Sequence, residues 1–226
     1  MSAAGPLSAL ACAALVLLGC RGEPPPAASP RASAPSPAWE GTIVALGDSL
    51  TAGYGLAESE AWPALLERRL AAEGRRWRVV NAGVSGETSS GALARVDWVL
   101  QQLKPDVVIL ETGANDGFRG IAPGIVRGNV LAAVRRLQAG GATVVIAGMR
   151  MVRNLGDEYT REFAAIYPAA AAETGAVLIP FLLEGVAAVP GLNLPDGIHP
   201  NAEGQRRVLE TVRPYVLQAL PARGSG

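Results

Sequence analysis

Histidine is almost missing from this chain: His199 is the single one among 226 residues. A His-rich metal centre is thereby excluded, and any imidazole chemistry must pass through that one ring. Two cysteines, Cys12 and Cys20, cannot build a multi-disulfide scaffold or a four-cysteine zinc site. Neither sign of charge is in excess, since 20 Lys+Arg face 20 Asp+Glu. No basic surplus exists to hold a phosphate backbone, which argues against nucleic-acid binding. What is present is a chain with 49% hydrophobic residues, which argues against disorder. At roughly 100–200 residues per domain the length suits one globular domain and a shorter appendage. A domain of that size buries roughly 70% of its unfolded surface.

The appendage is N-terminal. Residues 7–19, LSALACAALVLLG, carry no charge and are too short to span a bilayer. They suit the apolar region of a signal peptide, predicted over 1–19. The run ends in Leu17-Leu18-Gly19-Cys20, which resembles a bacterial lipobox, with Cys20 lipidated as the first mature residue. An ordinary secretory signal with an incidental cysteine shares the apolar run, and the start MSAAGP lacks the Lys or Arg usual there. If Cys20 is acylated and Cys12 is cleaved away, no free thiol remains, which is compatible with an extracytoplasmic place. Residues 21–38, rich in Pro, Ala and Ser, read as an extended tether to a domain spanning 39–226. Arg21 follows the cysteine where Asp would indicate inner-membrane retention, so the expected location is a periplasm-facing outer membrane where the cell has one.

Within 39–226, apolar β-rich runs alternate with helical patterns. Thr42–Leu46, Arg78–Asn81, Asp106–Leu110, Thr143–Ala147 and Ala176–Ile179 read as buried parallel strands. Helices are predicted over Trp62–Ala72, Ser90–Leu103, Ile125–Gln138, Tyr159–Thr174 and Ala202–Leu220. The alternation predicts an α/β sandwich around a five-stranded parallel sheet. Ligands of such sheets bind beyond the C-terminal strand ends, so functional residues should directly follow the apolar runs.

Four motifs do so or close the chain. Gly47-Asp48-Ser49-Leu50 places a serine at the first strand-to-helix turn. Asp196-Gly197-Ile198-His199-Pro200 places a carboxylate three residues from the sole imidazole. A serine hydroxyl needs a base to take its proton, and a carboxylate fixes that base's tautomer. Asn81-Ala82-Gly83-Val84-Ser85-Gly86-Glu87-Thr88 follows the second strand, and Gly113-Ala114-Asn115-Asp116 the third. Acyl transfer needs donors aimed at a tetrahedral oxyanion. Gly83 offers an N–H with unusual backbone freedom, Asn115 a side-chain amide, and Ser49 its own N–H. Each motif alone is more often a turn or a helix cap.

In this order the motifs resemble the SGNH hydrolases, or GDSL esterases, with Ser49, Gly83, Asn115 and His199 as the four letters. The resemblance covers residues 40–220 and is closest to the bacterial thioesterase, lysophospholipase and arylesterase branch, through GDSLTAGYGL, NAGVSGETSSGALARVDWVL, GANDGFRG, DEYTREFAAIYP, FLLEGVA and DGIHPNAEGQ. It implies a flavodoxin-like three-layer α/β/α sandwich and hydrolysis without metal or cofactor. It implies Ser49 as nucleophile, His199 as base then acid, Asp196 as its orienter, and Ser49, Gly83 and Asn115 as oxyanion donors. Asp48 is a supporting hydrogen-bonder, with a plain turn aspartate as the other reading. The expected substrates are acyl esters, thioesters or lysophospholipids, with the membrane as partner through the anchor. The segment Met149–Gly156 departs from its relatives, which have proline where Val152 stands and tyrosine where Leu155 stands. Met149, Met151 and Phe118 are candidate pocket-lining residues, though such residues are more often core.

Competing readings fit less well. An α/β-hydrolase elbow wants G-x-S-x-G, and Gly83-Val84-Ser85-Gly86-Glu87 misses it. A dinucleotide loop wants G-x-G-x-x-G, and the run from Gly53 fails at its last position. A flavin-binding flavodoxin leaves Asp196 and His199 unexplained. A carbohydrate O-acetyl esterase on the same scaffold and a catalytically silent lipid-anchored binding protein remain as alternatives.

Overall fold

A computed structural model describes residues 38–151 and 153–222. The signal segment, Cys20 and the tether up to residue 37 lie outside those residues, as does Val152. Five strands form one sheet: β1 Gly41–Gly47, β2 Trp77–Gly83, β3 Val107–Glu111, β4 Thr143–Ala147 and β5 Val177–Ile179. All pair in parallel, in the order β2-β1-β3-β4-β5. Every expected strand is present. β1 is buried from Ile43 to Gly47 and β3 along its whole length, which is why both read as uninterrupted apolar runs.

The helices are α1 Ser49–Ala52, α2 Trp62–Ala72, α3 Ser89–Ala94, α4 Val96–Leu103, α5 Ala114–Phe118, α6 Pro123–Ala139, α7 Asp157–Thr174 and α8 Ala202–Ala219. Two helical groups sandwich the sheet: α2 packs on α8, while α6 packs with α3, α4 and α7. In α6 the buried residues Val126, Val130, Val134 and Leu137 recur at helical spacing and face the core. In α2 Trp62, Leu66 and Leu70 do the same. Each such side chain contributes about 1.5–3 kcal/mol on leaving water.

One expected helix is wrong. Ser90–Leu103 is two helices that meet at Arg95, whose φ of −101° and ψ of 5° end α3 and begin α4. The apolar spacing carries through the junction, so periodicity alone does not reveal it. At Arg95 the side chain turns inward to backbone and carboxylate acceptors instead of continuing an exposed helical face.

The functional consequence lies in the strand order. Beyond β1 the chain crosses to β2 on one side, and from β2 it returns to β3 on the other. The C-terminal ends of β1 and β3 are therefore neighbours with connections running apart, the crevice where such sheets place ligands.

Candidate active site

Ser49 is the first residue of α1, directly after β1 and Asp48. Its N–H has no intrahelical acceptor at that position. Asp48 caps the helix by accepting from Leu50 N–H at 2.9 Å. Asn115 is the second residue of α5, after β3, and donates from Nδ2 to Asp48 Oδ2 at 3.0 Å. That bond fixes the orientation of the Asn115 amide and leaves a second N–H for the crevice.

Asp196 and His199 arrive from 150 residues away on a hairpin-like turn. Leu194 N–H donates to the His199 carbonyl at 2.7 Å, Gly197 N–H to the Leu194 carbonyl at 2.9 Å, and Asn193 pairs with Pro200. Asn201 then caps α8, accepting from Glu203 N–H and Gly204 N–H at 3.0 Å. The turn is tied at both ends, so His199 is held in place. Its Nε2 lies 2.9 Å from Ser49 Oγ and its Nδ1 lies 2.8 Å from Asp196 Oδ2. Asp196 Oδ1 accepts from Ile198 N–H at 2.8 Å and His199 N–H at 3.0 Å. The backbone donors from His199 and Ile198, and then the imidazole, lower the Asp196 carboxyl to about 2. Asp196 is thus ionised throughout the working range, as an orienter of imidazole requires.

Two carboxyl groups meet at the nucleophile turn. Glu111, at the end of β3, is fully buried and accepts from Asp48 N–H and Thr51 Oγ1–H, both at 2.9 Å. Burial first, then the neighbouring Asp48 carboxylate, pushes its carboxyl well above the usual range. Burial also raises Asp48, against the donors from Leu50 and Asn115 that favour its anion. The proton belongs on Glu111 and the charge on Asp48, because only Asp48 has donors on both oxygens.

The expected site residues separate into those brought together and those not. Ser49, Asp196, His199, Asn115 and Asp48 converge on one spot. Gly83 does not serve as expected: its N–H, the single donor it has, goes to Asn81 Oδ1 at 3.0 Å. Nor does it need unusual dihedrals, since it continues β2. It needs the missing side chain, because a Cβ would collide with Ala52 N and come within 2.8 Å of the Asp48 carbonyl. The glycine whose conformation is restrictive is Gly86, at φ +81°, in the same loop. Its carbonyl accepts from Arg119, just past α5.

Ser49, Asn115 and His199 open on a cavity of about 340 Å³. Met149, Met151 and Phe118 line it, joined by Phe181, Leu183 and Ile198. Phe118 stands at the rim, 52% exposed, whereas Met149 is buried. Leu155 lies in a short 3₁₀ turn over Arg153–Leu155 and is not part of the wall. The Tyr54 ring lies 4.5 Å from the His199 ring, tilted by 35°. No role for Glu111, Tyr54 or the wall residues after β5 is evident from the sequence motifs.

Known proteins carry the same pattern. The model of the GDSL-like lipase/acylhydrolase family matches residues 45–207. Esterase TesA of Pseudomonas aeruginosa is 44% identical over 79% of this chain and 89% of its own. The thioesterase 1/protease 1/lysophospholipase L1 of Escherichia coli K12 is 40% identical over 73% of this chain and 77% of its own. A crystal structure of TesA superposes with a TM-score of 0.77, covering 79% of this chain and 99% of that one, at 44% identity.

Proposed function

We infer, from the premise that the chain belongs to the GDSL-like lipase/acylhydrolase family and is a serine esterase, that Ser49, His199 and Asp196 carry a two-step acyl transfer from medium-chain esters and thioesters. The observation behind this reading is the continuous line from Ser49 Oγ through His199 to Asp196, opening on an apolar cavity. The Ser49 hydroxyl donates to neutral Nε2 and attacks the acyl carbon as that proton transfers. The carbonyl electron pair moves onto oxygen, and Asp196 steadies the imidazolium. Ser49 N–H and the free Asn115 N–H meet the oxyanion, with Gly86 N–H as the donor from the β2 loop. Collapse breaks the acyl–O or acyl–S bond, and the leaving alkoxide or thiolate takes the proton from Nε2. Water repeats the sequence on the acyl-enzyme and releases the acid.

The cavity favours an acyl chain over a bare acetyl group, because Leu50, Met149, Phe181 and Leu183 offer it no polar partner. Each buried methylene contributes about 0.8 kcal/mol, and 1.36 kcal/mol is tenfold in rate. On p-nitrophenyl esters kcat/KM should therefore rise about threefold to fourfold per methylene from acetyl until the roughly 340 Å³ is filled, then level. A profile that peaks at acetyl would instead assign the scaffold to O-acetyl removal from carbohydrate.

The N-terminal pattern supports a lipid anchor at Cys20, an extracytoplasmic domain and, from Arg21, an outer-membrane destination. On fractionation of cells the full chain should sediment with membranes and incorporate labelled palmitate. Cys20→Ser should do neither; a Cys20→Ser chain that stays labelled in the membrane pellet contradicts the anchor.

A further inference from the structure

Outside the triad, Arg95, at the unexpected break between α3 and α4, makes four side-chain hydrogen bonds. Its Nε and Nη2 form a forked pair with Glu87, at 2.7 and 2.8 Å. The same Nη2 donates to the Ala82 carbonyl at 2.6 Å and the Gly47 carbonyl at 3.1 Å. Both side chains are largely out of solvent, 20% exposed for Arg95 and 9% for Glu87. The acceptors are not scattered. Gly47 is the last residue of β1, two before Ser49. Ala82 is the penultimate residue of β2, and Glu87 follows Gly86 in the loop after it. Gly47 O also accepts from Val84 N–H at 2.8 Å, so one carbonyl ties the two strand ends twice. Gly91 leaves the room that Glu87 occupies, since a Cβ there would stand 2.8 Å from Glu87 Cγ.

We propose that Arg95 is a positioning residue for acyl transfer: its guanidinium clamps the Gly47 and Ala82 carbonyls and the Glu87 carboxylate, and thereby sets the distance between the Ser49 turn and the loop carrying Gly86. This rests on the serine esterase mechanism proposed above. A planar fork that meets a carboxylate with two donors and still reaches two carbonyls is a task lysine cannot reproduce, because its ammonium is a point charge on a flexible stem. Arg95 touches no substrate. Its effect is on where the oxyanion donors stand relative to the attacking oxygen, and a misplacement of about 1 Å there can cost about 10²-fold in rate.

The test uses the full chain, with active sites counted by an organophosphonate burst so that misfolded protein does not register. Arg95→Lys should lower kcat per titrated site on p-nitrophenyl butyrate by roughly 10- to 100-fold, with KM changed less than about threefold. Because Arg95→Met alone strands the Glu87 carboxylate and can fail to fold, the double variant Arg95→Met/Glu87→Gln removes both charges together. It should show the same selective loss of kcat. Arg213→Met serves as comparison: Arg213 pairs with Glu73 at 2.7 Å, away from the strand ends, and its loss should lower Tm while leaving kcat per site unchanged. Wild-type kcat per site in Arg95→Lys and in the double variant would overturn the proposal, as would a loss confined to KM. Failure of the underlying mechanism looks different: Ser49→Ala would then turn over like wild type, whatever Arg95 does.

Discussion

Ser49→Ala is expected to lower kcat on p-nitrophenyl butyrate by about 10⁶-fold, and His199→Ala by a similar factor, with the double variant no worse than either single one. The reason is that the two groups perform one act. The hydroxyl is nucleophilic only as Nε2, 2.9 Å away, takes its proton, so removing either partner removes the act as a whole. Additive losses would mean two independent contributions, which the geometry does not offer. Ser49 is 8% exposed and its alanine is nearly isosteric, so the fold should be little affected. Loss of one hydrogen bond costs about 0.5–1.5 kcal/mol. A near-unchanged Tm with abolished turnover is the expected pairing, read by calorimetry and a steady-state assay on the full chain. Ser49→Ala retaining a tenth of wild-type activity would assign the nucleophile elsewhere.

The parts of this site that the sequence makes visible are those carried by short contiguous motifs. Ser49, Asn115, Asp196 and His199 each stand at a strand end or in a Gly- and Pro-punctuated turn, where residue type and position coincide. The strands are visible for a related reason: a sheet covered on both faces turns into runs such as Val107–Leu110 with no polar interruption. Legibility stops where a residue acts through a long-range partner. Glu111 ends an apolar run and looks like a strand terminator. Its meaning comes from Asp48 and Thr51, 63 and 60 residues earlier. Arg95 sits on an apparently regular helical stripe, and nothing local reports that it faces Gly47, 48 residues back. Gly83 and Gly86 are three residues apart in one motif. Only the backbone shows that the first is chosen for space and the second for a positive φ. The cavity wall after β5 is not legible because Phe181 and Leu183 follow a three-residue strand and look like ordinary core.

The second large effect concerns Asn115. Asn115→Ala should lower kcat by about 10²–10³-fold while leaving KM nearly unchanged, because the donor is needed where charge develops and not at the ground-state carbonyl. One complication arises from the structure. Asn115 also donates to buried Asp48, so its removal withdraws a partner from that carboxylate, which costs about 1–3 kcal/mol of stability. Turnover is therefore expressed per site titrated with phosphonate, below the variant's Tm. Asn115→Asp gives a second check on the assignment. It keeps the shape but sets a carboxylate against both Asp48 and the developing oxyanion, so it should be worse than alanine. If the Asn115→Ala enzyme turns over at the wild-type rate per site, the oxyanion is held by Ser49 N–H and the β2 loop alone. The bond from Asn115 to Asp48 would then be a brace for α5 and not part of catalysis.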